Sequence, residues 1–488
     1  MVTVAEYLKK VDEVIKKGPF QDNWESLSAF QIPSWYRKGR FGLFIHWGVY
    51  ALPATESEWY PRLMYLKGTK SWFHRIKTYG KNADYRQIVE QFNPTAFDAD
   101  EWVELFEKSG AKYIMPVAEH HDGVKMYKSE LNRWNMADLT PHRDFLAELH
   151  EACDRHGIGF FCSNHRAEHF FFLNGARANC PDSEVAKGLY PDLYGPAALP
   201  ASGKPSDFEN CEPSEDWCRD WLASACEMVD RLRPRAVYFD WWINKPQFKP
   251  YLKKFLAYYY NRGVEWNEEV AVFYKVGSVM KGCAIFDVER GQIEDVSPVL
   301  WQTDTSIAKN SWGYTEGNRF KTPYKILTNL IDVVSKNGCY MLNVGPKSDG
   351  TICEEEKDVL LSIGKWLADN GEAIYDALPY DVWYEGKKKK KAGSFNENLK
   401  YGKKDYRFTY KTGAIYIFLM SETPHKINAV KALRAASEGG IRYTIQNVEV
   451  LGHPGKISWT QDEKAFRFTL DDSLLNTHLP LCVKVSVD

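Results

Sequence analysis

The 488-residue chain has no apolar run of 18 or more residues, so no segment is long enough to span a bilayer as a helix. Nor does it carry an excess of one charge: 63 Lys and Arg stand against 65 Asp and Glu, a formal net of -2. Nucleic acids and anionic membranes require a basic face, so neither is expected as a partner. Ten cysteines are present, but no two are spaced Cys-x-x-Cys, which argues against a zinc ribbon or a thioredoxin-like motif. Their irregular spacing reads as reduced thiols, and residues 1–20 contain no apolar h-region, so a cytoplasmic location is expected. A chain whose signal peptide had been removed would look the same. No Gly-x-Gly-x-x-Gly or Walker loop occurs, and no cofactor is expected.

Aromatic residues are plentiful, with 17 Trp, 28 Tyr and 26 Phe. Part of this is core, but so much Trp also suits stacking on sugar rings. Eight short apolar runs read as fully buried strands, at 41–48, 111–118, 157–163, 236–242, 270–275, 283–289, 299–302 and 339–344. Amphipathic stretches at 100–109, 143–156, 214–232, 249–262 and 323–336 have helical length. Buried strands alternating with helices imply a parallel sheet covered on both faces, and eight of them imply a (β/α)₈ TIM-like barrel. The gaps 276–282 and 290–298 are too short for crossover helices, so an irregular barrel is expected over 1–378. Residues 385–391 read as a solvated turn or linker. Beyond it, runs at 406–410, 414–420, 443–451, 465–470 and 481–487 alternate with period two, as expected for a C-terminal antiparallel β-sandwich over 379–488.

Barrel enzymes carry their chemistry at the C-terminal ends of the strands. Those ends present His46, Glu119, His120, His121, His165, Asp240, Lys275, Glu289 and Asp304. Nine of the twelve histidines precede residue 170. Asp240 ends an apolar run and is followed by Trp241 and Trp242; an unpaired carboxylate there would cost several kcal/mol to bury, so a catalytic use is expected. Lys275 and Asp304 suit a surface position equally well. His120, His121, His165 and His169 could bind zinc, but neighbours on a strand point to opposite faces, and His165 and His169 lack the Glu of His-Glu-x-x-His. Histidines and tryptophans holding a polyhydroxyl ligand, with no metal, is the better account. Two strand-end carboxylates without a cofactor fingerprint point to glycoside hydrolysis.

The stretches FGLFIHWG (41–48), ESEWY (56–60), EHHDG (119–123), YFDWW (238–242), DVERG (287–291), WQTDTSIAKNSWGY (301–314) and MLNVGPKSDG (341–350) resemble, in this order, the α-L-fucosidases of glycoside hydrolase family 29. The resemblance implies a retaining exo-glycosidase that removes terminal fucose from a fucosylated oligosaccharide or glycoconjugate. It implies Asp240 as nucleophile, with His46, His120, His121, Glu58 and Trp59 holding the sugar. The acid/base in this family comes from a variable segment; Glu289 is the first choice, with Glu294 and Glu268 behind it. A salt bridge to Arg290 or a neighbour is the structural alternative for Glu289. His165, Tyr238 and Trp312 complete the expected substrate-binding set, and Phe44 with Trp312 could face the sugar's methyl group. If the strand carrying Asp240 continues, at most one of Trp241 and Trp242 should line the site. The chain departs from many relatives after the third strand, where Ser163 to His169 and a long insertion to about residue 213 should form a loop at the mouth. A related glycosidase acting on another sugar, such as an α-galactoside, or an inactive fucose-binding protein are the alternatives. Oligomeric state is not legible.

Overall fold

The computed structural model describes residues 2–386, 392–435, 443–455 and 457–488. Eight parallel strands are arranged as a barrel: β1 (Phe41–Ile45), β2 (Tyr113–Glu119), β3 (Gly159–Asn164), β4 (Ala236–Phe239), β5 (Ala271–Tyr274), β6 (Ile285–Phe286), β7 (Trp301–Ser306) and β8 (Gly338–Val344). They pair in the order β6-β5-β4-β3-β2-β1-β8-β7. Between β6 and β7 the ring closes through a single parallel bridge, Asp287 with Gln302, where Val288 N donates to Gln302 O at 2.9 Å. The irregular barrel expected from the apolar runs is borne out. Its irregularity falls where the short gaps placed it, since no helix separates β5 from β6 or β6 from β7. The run at 283–289 yields only two residues of strand.

The barrel floor is an aromatic plug. Tyr36, Tyr113, Phe161 and Phe273 fill the N-terminal end, with the Tyr113 and Phe161 rings stacked at 4.7 Å. Tyr36 donates its hydroxyl to Gln302 Oε1 at 2.6 Å, so the buried phenol is satisfied. Gly42 in β1 makes room for this plug: a Cβ there would meet the Tyr113 ring at 2.1 Å. Each buried ring contributes roughly 2–3 kcal/mol of apolar burial.

Helices Ala99–Lys108, Phe145–His156, Glu215–Leu232, Lys249–Trp266 and Pro323–Val334 cover the barrel. Their starts follow the sequence: Asp98, Asp144, Ser214 and Thr322 each cap a helix by accepting a backbone N–H. No helix among the described residues is long and apolar enough to cross a membrane. All ten thiols are free, and nine are buried.

The remaining strands form two antiparallel sheets. One has the order β13-β16-β11-β10-β9 and contains β9 (Leu378–Glu385), β10 (Tyr406–Lys411), β11 (Ala414–Leu419), β13 (Ile445–Val450) and β16 (Leu481–Val487). The other has the order β12-β15-β14 and contains β12 (Ile427–Val430), β14 (Ser458–Gln461) and β15 (Phe466–Thr469). Phe408, Ile415, Ile417, Phe466, Phe468 and Val483 share the core between them. The alternation reading found five of these eight strands. It missed β9 and β14, which bury only Trp383 between them, and β12, where the apolar Ile427 and Ala429 are exposed and the polar Asn428 is buried beside Val430. Of the expected turn at 385–391, residues 387–391 lie outside the described residues. The five-stranded sheet rests on the barrel through Arg407, which donates to Asp332 at 2.6 Å, and through Trp366, which donates to Pro480 O at 2.7 Å.

Candidate active site

The C-terminal ends of the strands surround a cavity of about 360 Å³. That is near the small end of the range for small-molecule sites, about 300–1,000 Å³. Every residue expected to hold substrate lines it: His46, Glu58, Trp59, His120, His121, His165, Tyr238 and Trp312. Asp240 and Glu289 line it too, as does Phe44. The runners-up for acid/base do not. Glu268 lies half-exposed beside Arg235, and Glu294 is exposed.

Asp240 follows the last residue of β4 and is the most heavily partnered carboxylate of the cavity. Its Oδ2 accepts from His165 Nδ1 at 3.0 Å and lies 3.6 Å from His121 Nε2, while Oδ1 lies 3.0 Å from Lys275 Nζ. His165 Nε2 meets Ser163 Oγ at 3.0 Å, so one tautomer satisfies both ring nitrogens: Nδ1–H donates to Asp240, and Nε2 accepts from the serine. Burial pushes the Asp240 carboxyl up, but Lys275, His165 and His121 outweigh it and hold the group well below the usual carboxylate range. Unit charges 3 Å apart attract by about 5 kcal/mol at an effective permittivity of about 20, enough to offset a desolvation penalty of several kcal/mol.

Lys275 and Asp304 are not surface residues. They are 3% and 1% exposed, at the ends of β5 and within β7. The Lys275 ammonium also contacts Glu289 Oε2 at 2.5 Å and Asp304 Oδ2 at 4.0 Å. Burial alone would lower its pKa, but Asp240, Glu289 and Asp304 raise it well above the ordinary lysine value. Glu289 therefore pairs with Lys275 rather than with Arg290, and Trp241 Nε1 donates to the same Oε2 at 2.6 Å. Asp304 accepts from the Tyr238 hydroxyl at 2.8 Å, and burial moves its carboxyl up to about 6 despite Lys275.

Three of the cavity histidines, His46, His120 and His121, are held as neutral imidazoles. Burial lowers His46 and His120 well below the ordinary value and His121 to about 3. A neutral ring offers one donor and one acceptor, which suits sugar hydroxyls. His46 Nδ1 is spent on Asn343 Oδ1 at 2.7 Å, leaving Nε2 as acceptor. His120 Nδ1 is buried without a hydrogen bond. Glu58 is held by the backbone N–H groups of Trp312 and Gly313, at 2.9 and 3.3 Å to Oε2. Burial raises its pKa even so.

Two expectations drawn from strand alternation fail for one reason. β2 ends at Glu119, so His120 and His121 lie beyond it; both face the cavity with rings 4.2 Å apart. β4 ends at Phe239, and Trp242 has φ 72°, so Trp241 and Trp242 both line the cavity. Glu119, in contrast, turns away from it. Arg166 and Lys125 hold its carboxyl down to about 2 against the upward push of burial, and the cluster ties the end of β2 to the segment after β3.

That segment is more ordered than a loop. It holds three short α-helices, His169–Phe172, Asn174–Asn179 and Pro191–Tyr194, and 3-10 turns at Arg166–Glu168 and Pro205–Asn210, and it contributes Glu168, Phe208 and Glu209 to the cavity. Glu168 carries no signal in the sequence. It is 1% exposed, and its Oε2 makes no hydrogen bond and lies 3.8 Å from His121 Nδ1. Burial, then the charge of Asp240, raises its pKa well above the usual carboxylate range.

Two donor groups, His46 with His120 and His165, and His121 with His165 and Asp240, are close enough together to hold a cation. Both include His165, whose two nitrogens are engaged by Asp240 and Ser163, so a metal would have to displace one of those bonds. His169, the fourth histidine of the zinc alternative, spends Nδ1 on His121 O at 2.7 Å.

Residues 7–372 match the sequence profile of the Alpha-L-fucosidase family. The chain belongs to that family. It is 26% identical to the tissue α-L-fucosidase of Rattus norvegicus over 454 residues, covering 91% of this chain and 86% of that one. It is 29% identical to the plasma α-L-fucosidase of Homo sapiens over 393 residues, covering 76% and 77%. The α-fucosidase of Thermotoga maritima, solved in complex with fucose, superimposes with a TM-score of 0.76 at 25% identity, covering 96% of this chain and 100% of that one. The same protein has been solved with a mechanism-based inhibitor. A glycoside hydrolase of the α-L-fucosidase family accounts for the strand-end carboxylates and for the histidines around them.

Proposed function

We propose that the protein removes terminal α-L-fucose from fucosylated glycans by double displacement, with retention of configuration. Asp240 attacks the anomeric carbon, and Glu289 protonates the departing glycosidic oxygen. The C1–O bond to the leaving sugar breaks as an ester bond to Asp240 forms. Glu289, now a carboxylate, takes a proton from water, whose oxygen attacks C1 and releases Asp240.

The observation that carries this reading is the shared cation. Lys275 Nζ lies 3.0 Å from Asp240 Oδ1 and 2.5 Å from Glu289 Oε2. The two oxygens are thus no farther apart than those lengths end to end. Retaining glycosidases separate their carboxyl groups by about 5–5.5 Å, whereas inverting ones leave room for water at about 6.5–9.5 Å. Lys275 and Trp241 both engage Oε2 of Glu289, so Oε1 is the oxygen available to carry the proton. The lowered pKa of Asp240 suits a nucleophile that must stay ionised. His120 Nδ1, Glu168 Oε2, Trp242 Nε1 and Asp304 Oδ1 lack hydrogen bonds although buried at this cavity, and a polyhydroxyl ligand would satisfy such atoms. Phe44 and Trp312, with rings 6.2 Å apart, offer apolar surface for a C6 methyl group.

Proton NMR of the first product formed from an aryl α-L-fucoside tests this. Release of α-L-fucose before mutarotation supports double displacement; initial β-L-fucose would establish inversion and remove Asp240 from the nucleophile role.

A further inference from the structure

We infer that Phe395, from the segment that follows β9, forms part of a binding site for the leaving saccharide. Together with Trp242 and Phe208, it selects fucosides whose leaving group presents the apolar face of a pyranose ring. This inference rests on the fucoside-hydrolysing role proposed above.

Phe395 lines the same cavity as Asp240 although it lies 155 positions along the chain from it, beyond the barrel strands. Its side chain is poorly covered, since the residue is 65% exposed. Its φ of 58° places a bulky residue in the left-handed region, which costs energy without a compensating constraint. The constraints are present on both sides. Phe395 N donates to Glu289 O at 2.9 Å, so the ring is tied to the backbone of the residue assigned as acid/base. Gly393 exchanges backbone hydrogen bonds with Gln292, an approach so close that a Cβ on Gly291 would meet Gly393 O at 2.2 Å. Downstream, Glu397 accepts from Lys321 Nζ at 2.6 Å and from Thr305 Oγ1 at 2.5 Å. The backbone is thus anchored on both sides of an aromatic ring held in water at the mouth of a sugar-sized cavity. An exposed, pre-positioned ring of this kind contributes to binding with little ordering cost.

A second aromatic surface reaches the mouth from the segment after β3. Phe208 stacks on Phe171 at 5.5 Å and on Trp242 at 5.7 Å, and the Arg62 guanidinium lies 4.8 Å from the Phe208 ring. Trp242 adds a buried indole N–H with no hydrogen-bond partner. Flat apolar faces plus one free donor suit a pyranose, which has an apolar C–H face and a hydroxylated rim.

The test compares Phe395→Ala with wild type on α-L-fucosyl fluoride, whose leaving group is a single atom, and on fucosyl disaccharides in α1,2, α1,3, α1,4 and α1,6 linkage. For the disaccharide that wild type cleaves fastest, kcat/KM should fall about 10-fold, mainly through KM, with the fluoride changed less than about twofold. Phe395→Trp should restore much of the loss. An equal loss on both substrates, no loss on either, or a wild type that cleaves the fluoride but no disaccharide would overturn the inference. A wild type inert towards the fluoride as well would instead defeat the fucoside reading beneath it.

Discussion

Lys275 Nζ lies 3.0 Å from Asp240 Oδ1, and the same buried ammonium reaches Glu289 Oε2 at 2.5 Å. One cation therefore stabilises the ionised form of the proposed nucleophile and fixes its distance from the proposed acid/base. Removing it tests both roles. Lys275→Met should lower kcat/KM by about 100-fold, the scale for losing one pre-oriented charge at a reacting centre. Losing a neighbouring cation destabilises the Asp240 carboxylate, so its pKa must rise. The acid limb of the kcat/KM profile should move to higher pH, which a pH–rate series on an aryl fucoside will read.

Glu289→Ala should slow hydrolysis of natural fucosides far more than that of aryl fucosides, whose leaving groups need little protonation. Added azide should accelerate the variant and yield a fucosyl azide, because azide needs no general base. Absence of both effects would detach Glu289 from the acid/base role.

Glu168 sits without a hydrogen bond at Oε2, and burial and the charge of Asp240 favour its neutral form. An uncharged isostere should then be tolerated. Glu168→Gln should keep kcat/KM within about threefold on an aryl fucoside, whereas Glu168→Ala, which leaves a hole beside His121, should cost about 10-fold or more. A large loss in the glutamine variant would show that the ionised form is needed.

The barrel and the five-stranded sheet share one buried ion cluster. Asp332 pairs with Arg407 and Lys336, both at 2.6 Å. Burial pushes the carboxyl up, but the two cations bring it down to about 2. A carboxylate with a lowered folded pKa stabilises the protein fully above its unfolded value, about 3.9, and loses that contribution as pH falls towards 2. Asp332→Ala should lower unfolding free energy at pH 7 by about 3–5 kcal/mol, since it leaves two buried cations unpaired. The difference from wild type should shrink between pH 4 and 2, as chemical denaturation across that range will show.

The residues that could be read from the sequence are those at the ends of apolar runs. His46, Asp240 and Glu289 announce themselves by following or ending such runs, and the eight runs suffice to place the barrel. Lys275 also ends one, in Val270 to Tyr274, but a lysine at a strand end is ordinarily solvated. Its burial depends on three carboxylates brought together from β4, β7 and the end of β6, which no local pattern reveals. Glu168 is invisible for a similar reason, since it belongs to a polar segment whose burial comes from its place beside His121 and Asp240. The alternation rule set His120 apart from His121 and Trp241 apart from Trp242 because the strands end one residue before the chemistry begins, and backbone beyond that point no longer alternates. Phe395 lies in sequence among polar residues near a lysine run, and only the return of the chain to Gln292 brings it to the cavity.

The role of Asp240 is tested most directly by trapping. Incubation with 2-deoxy-2-fluoro-α-L-fucosyl fluoride, followed by proteolysis and tandem mass spectrometry, should show one fluorofucosyl ester, on the peptide containing Asp240 and localised to that residue. An ester on Glu289, Glu58 or any other residue would contradict the account.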